Sequence, residues 1–166
     1  MKSIKVRKLS AESFKKYGSY AAMINPEAET TGPKDASIVF YRDMVQQDLF
    51  GSCPNYSTLR VKARPQVIEA GEYHNNTCEV IMPLNGDAIV WVAPADCSEK
   101  VPVDKIEAFY VPQGTLLCIR PGVWHYAPFA ADKNTLDVLI VLPERCYCKD
   151  LVCVNIPKAE QRKIVS

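Results

Sequence analysis

Residues 72–86 read EYHNNTCEVIMPLNG, setting acidic and imidazole side chains against a run of apolar ones. On a strand, residues two apart share a face, so Glu72 and His74 point the same way. Strict alternation would place Glu79 opposite them. Asn75, Asn76 and Thr77 are turn formers, however, and a bend there brings Glu79 onto the next strand with its carboxylate inward. The chain has two histidines. The second stands in RPGVWHYAPF, residues 120–129, where Pro121 and Gly122 occupy the positions a type II turn favours and send VWHYA back as a strand. Val123, His125 and Ala127 then share one face, leaving Trp124 and Tyr126 for the other.

Outward from these segments the text keeps the same texture. From about Ser37 it is a series of short β-type runs, among them TLRVKA, CEVIMPL, DAIVWVAP, IEAFYV, TLLCI, TLDVLIVL and LVCVNI, separated by turn signals at a spacing of about ten residues. That pattern predicts an all-β sandwich or barrel, built as a single domain over residues 1–166. Before it, IKVRKL reads as an opening strand, and SAESFKKYG as a short N-terminal helix with Ser10 as N-cap and Gly18 just past its end. Residues 25–37 read as a surface loop, LNGD at 84–87 as a hairpin turn, APADCSEKVPVD as a polar loop, and NIPKAEQRKI as a closing short helix. VIMPL, AIVWV and VLIVL are apolar at both parities, so their strands need a second cover besides the barrel interior. A homodimer supplies one, and the N-terminal helix with the loops is the alternative.

Twenty basic and nineteen acidic side chains leave a net charge of +1, without the surplus that neutralising many phosphates requires, so nucleic acid is not an expected partner. The opening MKSIKVRKLSAESFKKYG has charge but no apolar core, and no apolar run approaches membrane-helix length. A soluble, cytoplasmic protein with no membrane partner is the expectation. Seven cysteines are scattered through the chain and read as reduced thiols. The group CYCKDLVC has the density of a thiolate metal cluster but no second CxxC or adjacent histidine, which favours cysteines packed as small hydrophobes.

Two carboxylates and two imidazoles converging inside a barrel form an N2O2 set suited to a divalent transition metal such as Mn, Fe, Ni or Zn. The candidate metal ligands are therefore His74, Glu79, His125 and Glu72. The arrangement resembles the cupin. EYHNNTCEVIMPLNG is similar to the second half of the first cupin motif, G(x)5HxH(x)3-4E(x)6G, with His74, Glu79 and Gly86 in place and Glu72 where the first histidine of the pair would stand. GTLLCIRPGVWHYAPF is similar to the second motif through Gly114, Pro121, Gly122 and His125, with Phe129 at its terminal asparagine. The resemblance implies a cupin-type double-stranded β-helix, or jelly-roll, barrel with a short N-terminal helix.

KLSAESFKKYG, FYRD, RVKARP, EYH and especially PGVWHYAPFA also resemble the ureidoglycolate lyase family of small dimeric cupins. What this implies is cleavage of ureidoglycolate to glyoxylate and urea, a step of allantoin and purine breakdown, in a likewise dimeric protein acting on a small anionic substrate. Such a substrate chelates a metal through its carboxylate and hydroxyl, and coordination acidifies the hydroxyl. Glu72 is then the first candidate for carrying the proton to the departing nitrogen, with Glu79 second and His125 essential beside them. RVKAR puts Arg60, Lys62 and Arg64 on one strand face, where one can clamp the substrate carboxylate or where all three simply face water. A metal-dependent isomerase or dioxygenase acting on another small acid or sugar, and a non-catalytic binding cupin, fit the same residues.

Overall fold

The computed structural model describes residues 1–132 and 134–165. In chain order its elements are β1 (Lys2–Lys8), α1 (Ala11–Phe14), β2 (Gly18–Ala22), β3 (Thr30–Thr31), β4 (Phe40–Tyr41), β5 (Pro54–Lys62), β6 (Val67–Ile68), β7 (Ala70–Tyr73), β8 (Glu79–Pro83) and β9 (Ala88–Ala93). A 3-10 turn at Val103–Lys105 precedes β10 (Glu107–Val111), β11 (Thr115–Ile119), β12 (Trp124–His125), β13 (Phe129–Ala130), β14 (Thr135–Pro143), α2 (Cys146–Lys149), β15 (Val152–Asn155) and β16 (Arg162–Val165). One sheet runs β15-β7-β12-β9-β10-β1-β16-β6, with β13 also on β9. The other runs β2-β11-β8-β14-β5, while β3 and β4 form a small separate ribbon.

The two sheets face each other as a jelly-roll barrel, and alternation decides what lies between them. Val61 of β5, Ile81 of β8, Leu117 and Ile119 of β11 and Leu136, Val138 and Ile140 of β14 meet Ala88, Val90 and Val92 of β9 and Phe109 and Val111 of β10 in one cluster. This is the barrel interior, and its burial is the main term holding the sheets together. Helix α1 plugs one end with Phe14, whose ring meets Phe109 edge-on at 5.5 Å. Ser10 caps the helix as expected, accepting from the Ser13 N–H at 3.2 Å. Gly18 serves a different purpose from the expected helix stop. It opens β2 opposite Ile119, where a Cβ would lie 1.9 Å from the Cys118 carbonyl oxygen.

Strand β9 is buried along its whole length, and the chain itself covers its second face. Ile89, Trp91 and Ala93 pack with Ile68, Val101, Ile106, Trp124, Phe129, Ile156 and Ile164 in a second cluster behind the larger sheet. The cover comes from the 94–106 loop and the C-terminal segments, not from the N-terminal helix. This removes the packing argument for a dimer at β9. On β8 and β14, Val80 and Val141 are likewise covered by Cys78, Cys118 and Val45.

Two local expectations are corrected. Leu84 to Asp87 does not close a hairpin: β8 and β9 lie in different sheets, and the Leu84 N–H goes to the Asp137 carbonyl of β14. The Asn-Gly pair turns a corner between layers. The C-terminal segment is a strand rather than a helix, because Arg162 and Ile164 alternate inward with Lys163 outward and β1 offers an open edge for parallel pairing. No helix of the described residues is long and apolar enough to cross a membrane.

Candidate metal centre

The chain changes sheets between Tyr73 and Glu79, and that crossing builds the site. β7 ends at Tyr73, whose ring packs on Trp124 at 4.5 Å in the outer cluster, so Glu72 and His74 on the alternate parity face the barrel. After the bend at Asn75–Cys78, β8 starts with Glu79, which shares the inward parity of Ile81. From the far end of the chain, the 120–123 turn carries Gly122 at φ +75°, a value glycine adopts without strain, and the Val123 N–H closes on the Arg120 carbonyl at 3.3 Å. The Gly122 N–H donates to the His74 carbonyl at 2.7 Å, tying the two histidine segments together. His125 then lies directly opposite Glu72 in the β12–β7 ladder.

The result is a shared carboxylate. Glu79 Oε2 lies 3.0 Å from His74 Nε2 and 2.8 Å from His125 Nε2. All three residues are buried, and their ligand atoms lie within 4.8 Å of one another. Each imidazole also has its other nitrogen fixed: His125 Nδ1 donates to the Val123 carbonyl at 2.9 Å, and His74 Nδ1 donates to the Asp150 carbonyl. A carbonyl only accepts, so both rings carry a proton on Nδ1. Without a metal, each Nε2 must also be protonated to bond the carboxylate.

The electrostatics follow from this. Burial alone would push the Glu79 carboxyl up, but the imidazoles outweigh it and hold it down at about 2. Burial likewise disfavours imidazolium, yet the bonds to Glu79 raise both histidines above their ordinary value. Exchanging the two Nε2 protons for one divalent ion leaves neutral imidazoles in the Nδ1–H tautomer, the form in which histidine ligates metals when its second nitrogen donates to a carbonyl. The separations fit as well, since ligands about 2.1 Å from an ion at a right angle stand roughly 3 Å apart. His74, Glu79 and His125 thus form a group able to hold a divalent metal ion.

A cavity of about 200 Å³ opens beside this group, lined by Glu72, Glu79, Leu59, Ile81, Tyr126 and Tyr147 among others. Glu72 is half-buried, and its carboxyl is pushed up by burial, with His125 opposing and Glu79 reinforcing the shift.

A family model described as a domain of unknown function, DUF4867, matches residues 37–165. The chain belongs to that family. No curated protein matches it. Among solved structures, this DUF4867 chain is similar to oxalate decarboxylase of Bacillus subtilis, in a study of its Mn(II) centres, at 17% identity and a TM-score of 0.45 over 63% of this chain and 24% of that one. The same enzyme at pH 4.6 matches at 17% identity and a TM-score of 0.43, over 56% and 22% of the two chains. The chain therefore spans about a quarter of the length of these structures, and the likeness carries no statement about activity.

Of the other residues singled out in the DUF4867 sequence, Glu72 faces the cavity but stands outside the tight three-residue group. Arg60 and Lys62 are not brought to the site. They alternate outward from Val61 on β5, and Arg60 forms a two-pronged pair with Asp137 at 2.6 and 3.0 Å. Arg64 donates to the Ala127 carbonyl and lies over the Phe129 ring at 4.2 Å, so its guanidinium is engaged elsewhere.

Sequence reasoning missed the contribution of residues 146–150. Cys146 is buried with its Sγ 3.4 Å from His74 Nδ1, Tyr147 lines the cavity, and Asp150 meets the His74 turn. CYCKDLVC reads as cysteines packed as small hydrophobes, which holds for Cys146 but not for Cys148 and Cys153, both exposed; all three are free thiols.

Proposed function

We propose that this protein is a metal-dependent cupin lyase that cleaves ureidoglycolate to glyoxylate and urea. The observation that carries the reading is the Glu79 carboxylate shared by two imidazoles of fixed tautomer, placed against a small cavity that contains a second carboxyl, Glu72. A divalent ion held by His74, Glu79 and His125 would supply Lewis acidity toward a substrate carrying a carboxylate and a hydroxyl on adjacent carbons. Glu72 takes the hydroxyl proton, the carbonyl forms as the C–N bond breaks, and the bonding pair leaves on the urea nitrogen. The same carboxyl then returns the proton to that nitrogen, so Glu72 ends as it began. Its raised pKa suits a group that must both accept and donate. The cavity holds about seven water volumes, the scale of a substrate with about nine non-hydrogen atoms. Leu59, Ile81 and Ile140 contribute apolar surface to its lining.

A second reading is favoured by one feature of the lining. Among its described residues there are two glutamates and two tyrosines but no lysine or arginine, which suits an uncharged sugar or hydroxy-carbonyl isomerised at the same centre. Incubating protein loaded with manganese or nickel with racemic ureidoglycolate, and following glyoxylate, urea and ammonia separately, tests the first reading. Equimolar glyoxylate and urea are expected. Absence of both, with turnover of a neutral aldose or ketose, would replace it with the second.

A further inference from the structure

We infer that Asp150 is a positioning residue for the metal centre, locking His74 as a ligand through the chain that carries both. The Asp150 carbonyl accepts the His74 Nδ1 proton, while the Asp150 carboxylate accepts from the Asn75 N–H at 2.8 Å, the Asn76 N–H at 2.8 Å and the Asn76 side-chain amide at 3.2 Å. Its own N–H donates to the Cys146 carbonyl at 2.8 Å. One residue thus grips the histidine ring and the turn that follows it, and is itself held by α2.

The consequence for the ring is specific. A histidine on an exposed turn samples both tautomers and several rotamers, and a metal must then select one of them. Here the carbonyl assigns the proton to Nδ1 and leaves Nε2 aimed at Glu79. The carboxylate prevents Asn75 and Asn76 from swinging the ring away. Cys146 Sγ, 3.4 Å from Nδ1 and 3.6 Å from the Asp150 oxygen, fills the space a competing water would need. Such outer contacts to a ligating histidine typically account for about 10–100-fold in metal affinity.

The inference rests on the metal reading of the His74, Glu79 and His125 group, not on the identity of the substrate. Its test is calorimetric titration of Mn²⁺ into the full chain, wild type against Asp150→Ala and Asp150→Asn, with melting curves of the metal-free proteins alongside. Asp150→Ala is expected to weaken Mn²⁺ binding about 10–100-fold. Asp150→Asn keeps one of two acceptor oxygens and should fall between the two, which also supplies a folded variant if the alanine form does not fold. Nitrogen-15 spectra of the imidazoles with diamagnetic Zn²⁺ bound add a readout that a general loss of stability would not move: a single Nδ1–H tautomer for His74 in wild type, and a mixture in the alanine variant. Unchanged affinity with a lowered melting temperature, or an unchanged tautomer, overturns the inference. A wild-type protein that binds no Mn²⁺ overturns it together with the metal reading, whereas failure to turn over ureidoglycolate affects only the proposed reaction.

Discussion

Replacing Glu79 with glutamine tests the electrostatic core of the site, because the amide keeps the shape and removes the charge. In the metal-free protein the carboxylate bonds two buried imidazoliums, at 3.0 and 2.8 Å. Hydrogen bonds to charged groups contribute about 1.5–3 kcal/mol each, and removing one member of a buried ionic group costs about 3–5 kcal/mol. The loss must depend on pH, and its sign follows from the two shifts. Glu79 lies well below its ordinary 4.5, so its contribution is present above that value and lost as pH falls toward about 2. The histidines lie above their ordinary 6.5, so theirs is present below that value and lost as pH rises through the raised folded values. The stabilisation is therefore largest between 4.5 and 6.5. Thermal melts of chelator-treated wild type and Glu79→Gln at about pH 5.5 should differ by about 3–5 kcal/mol, or roughly 6–20 °C in a chain of this size. Above the raised histidine values the imidazoles lose their charge, and the gap should shrink to about 1–3 kcal/mol, the cost of unmet hydrogen bonds. Equal losses in both pH regimes, or a loss below about 1 kcal/mol in the lower one, would refute the assignment of charge.

Three further outcomes are expected. Metal binding should release between about one and two protons near pH 6.5, because it displaces the Nε2 protons, and affinity should rise with pH; calorimetry in two buffers of different ionisation heat measures this, and zero release contradicts the tautomer argument. His125→Ala should abolish both Mn²⁺ binding and any turnover while leaving the far-ultraviolet circular dichroism of the barrel intact; retained activity would remove His125 from the site. Gly71→Ala should destabilise by about 1–3 kcal/mol, read as a melting shift of about 2–12 °C. Its Cβ would meet Val101 Cγ2 at 2.7 Å and the Trp91 ring at 2.9 Å.

The parts of this molecule that could be read from its letters are those where a local rule and the tertiary structure agree. Pro121-Gly122 demands a turn and makes one, and the apolar run at 88–93 demands two-sided burial and receives it, as does 138–142 apart from the half-buried Leu139. His74 and Glu79 sit on either side of turn formers, so a change of direction there was legible even though the change of sheet was not. Where the local rule was weaker than its surroundings, the reading failed. Asn85-Gly86 has the letters of a tight hairpin, but the neighbouring strands find better partners in opposite layers. RKIV is too short to announce a strand without the β1 edge that recruits it. The backbone grip of Asp150 on His74 left no trace, since a carbonyl acceptor is present at every residue and only the fold selects which one is used.

The two tryptophans of the chain are both buried in the outer cluster, and Trp124 immediately precedes His125 in sequence with its ring on the opposite side of the same sheet. An indole so close behind a candidate ligand is a built-in fluorescent reporter. A paramagnetic ion entering the barrel should quench its emission, so occupancy can be followed by light in unlabelled protein, before any substrate is known.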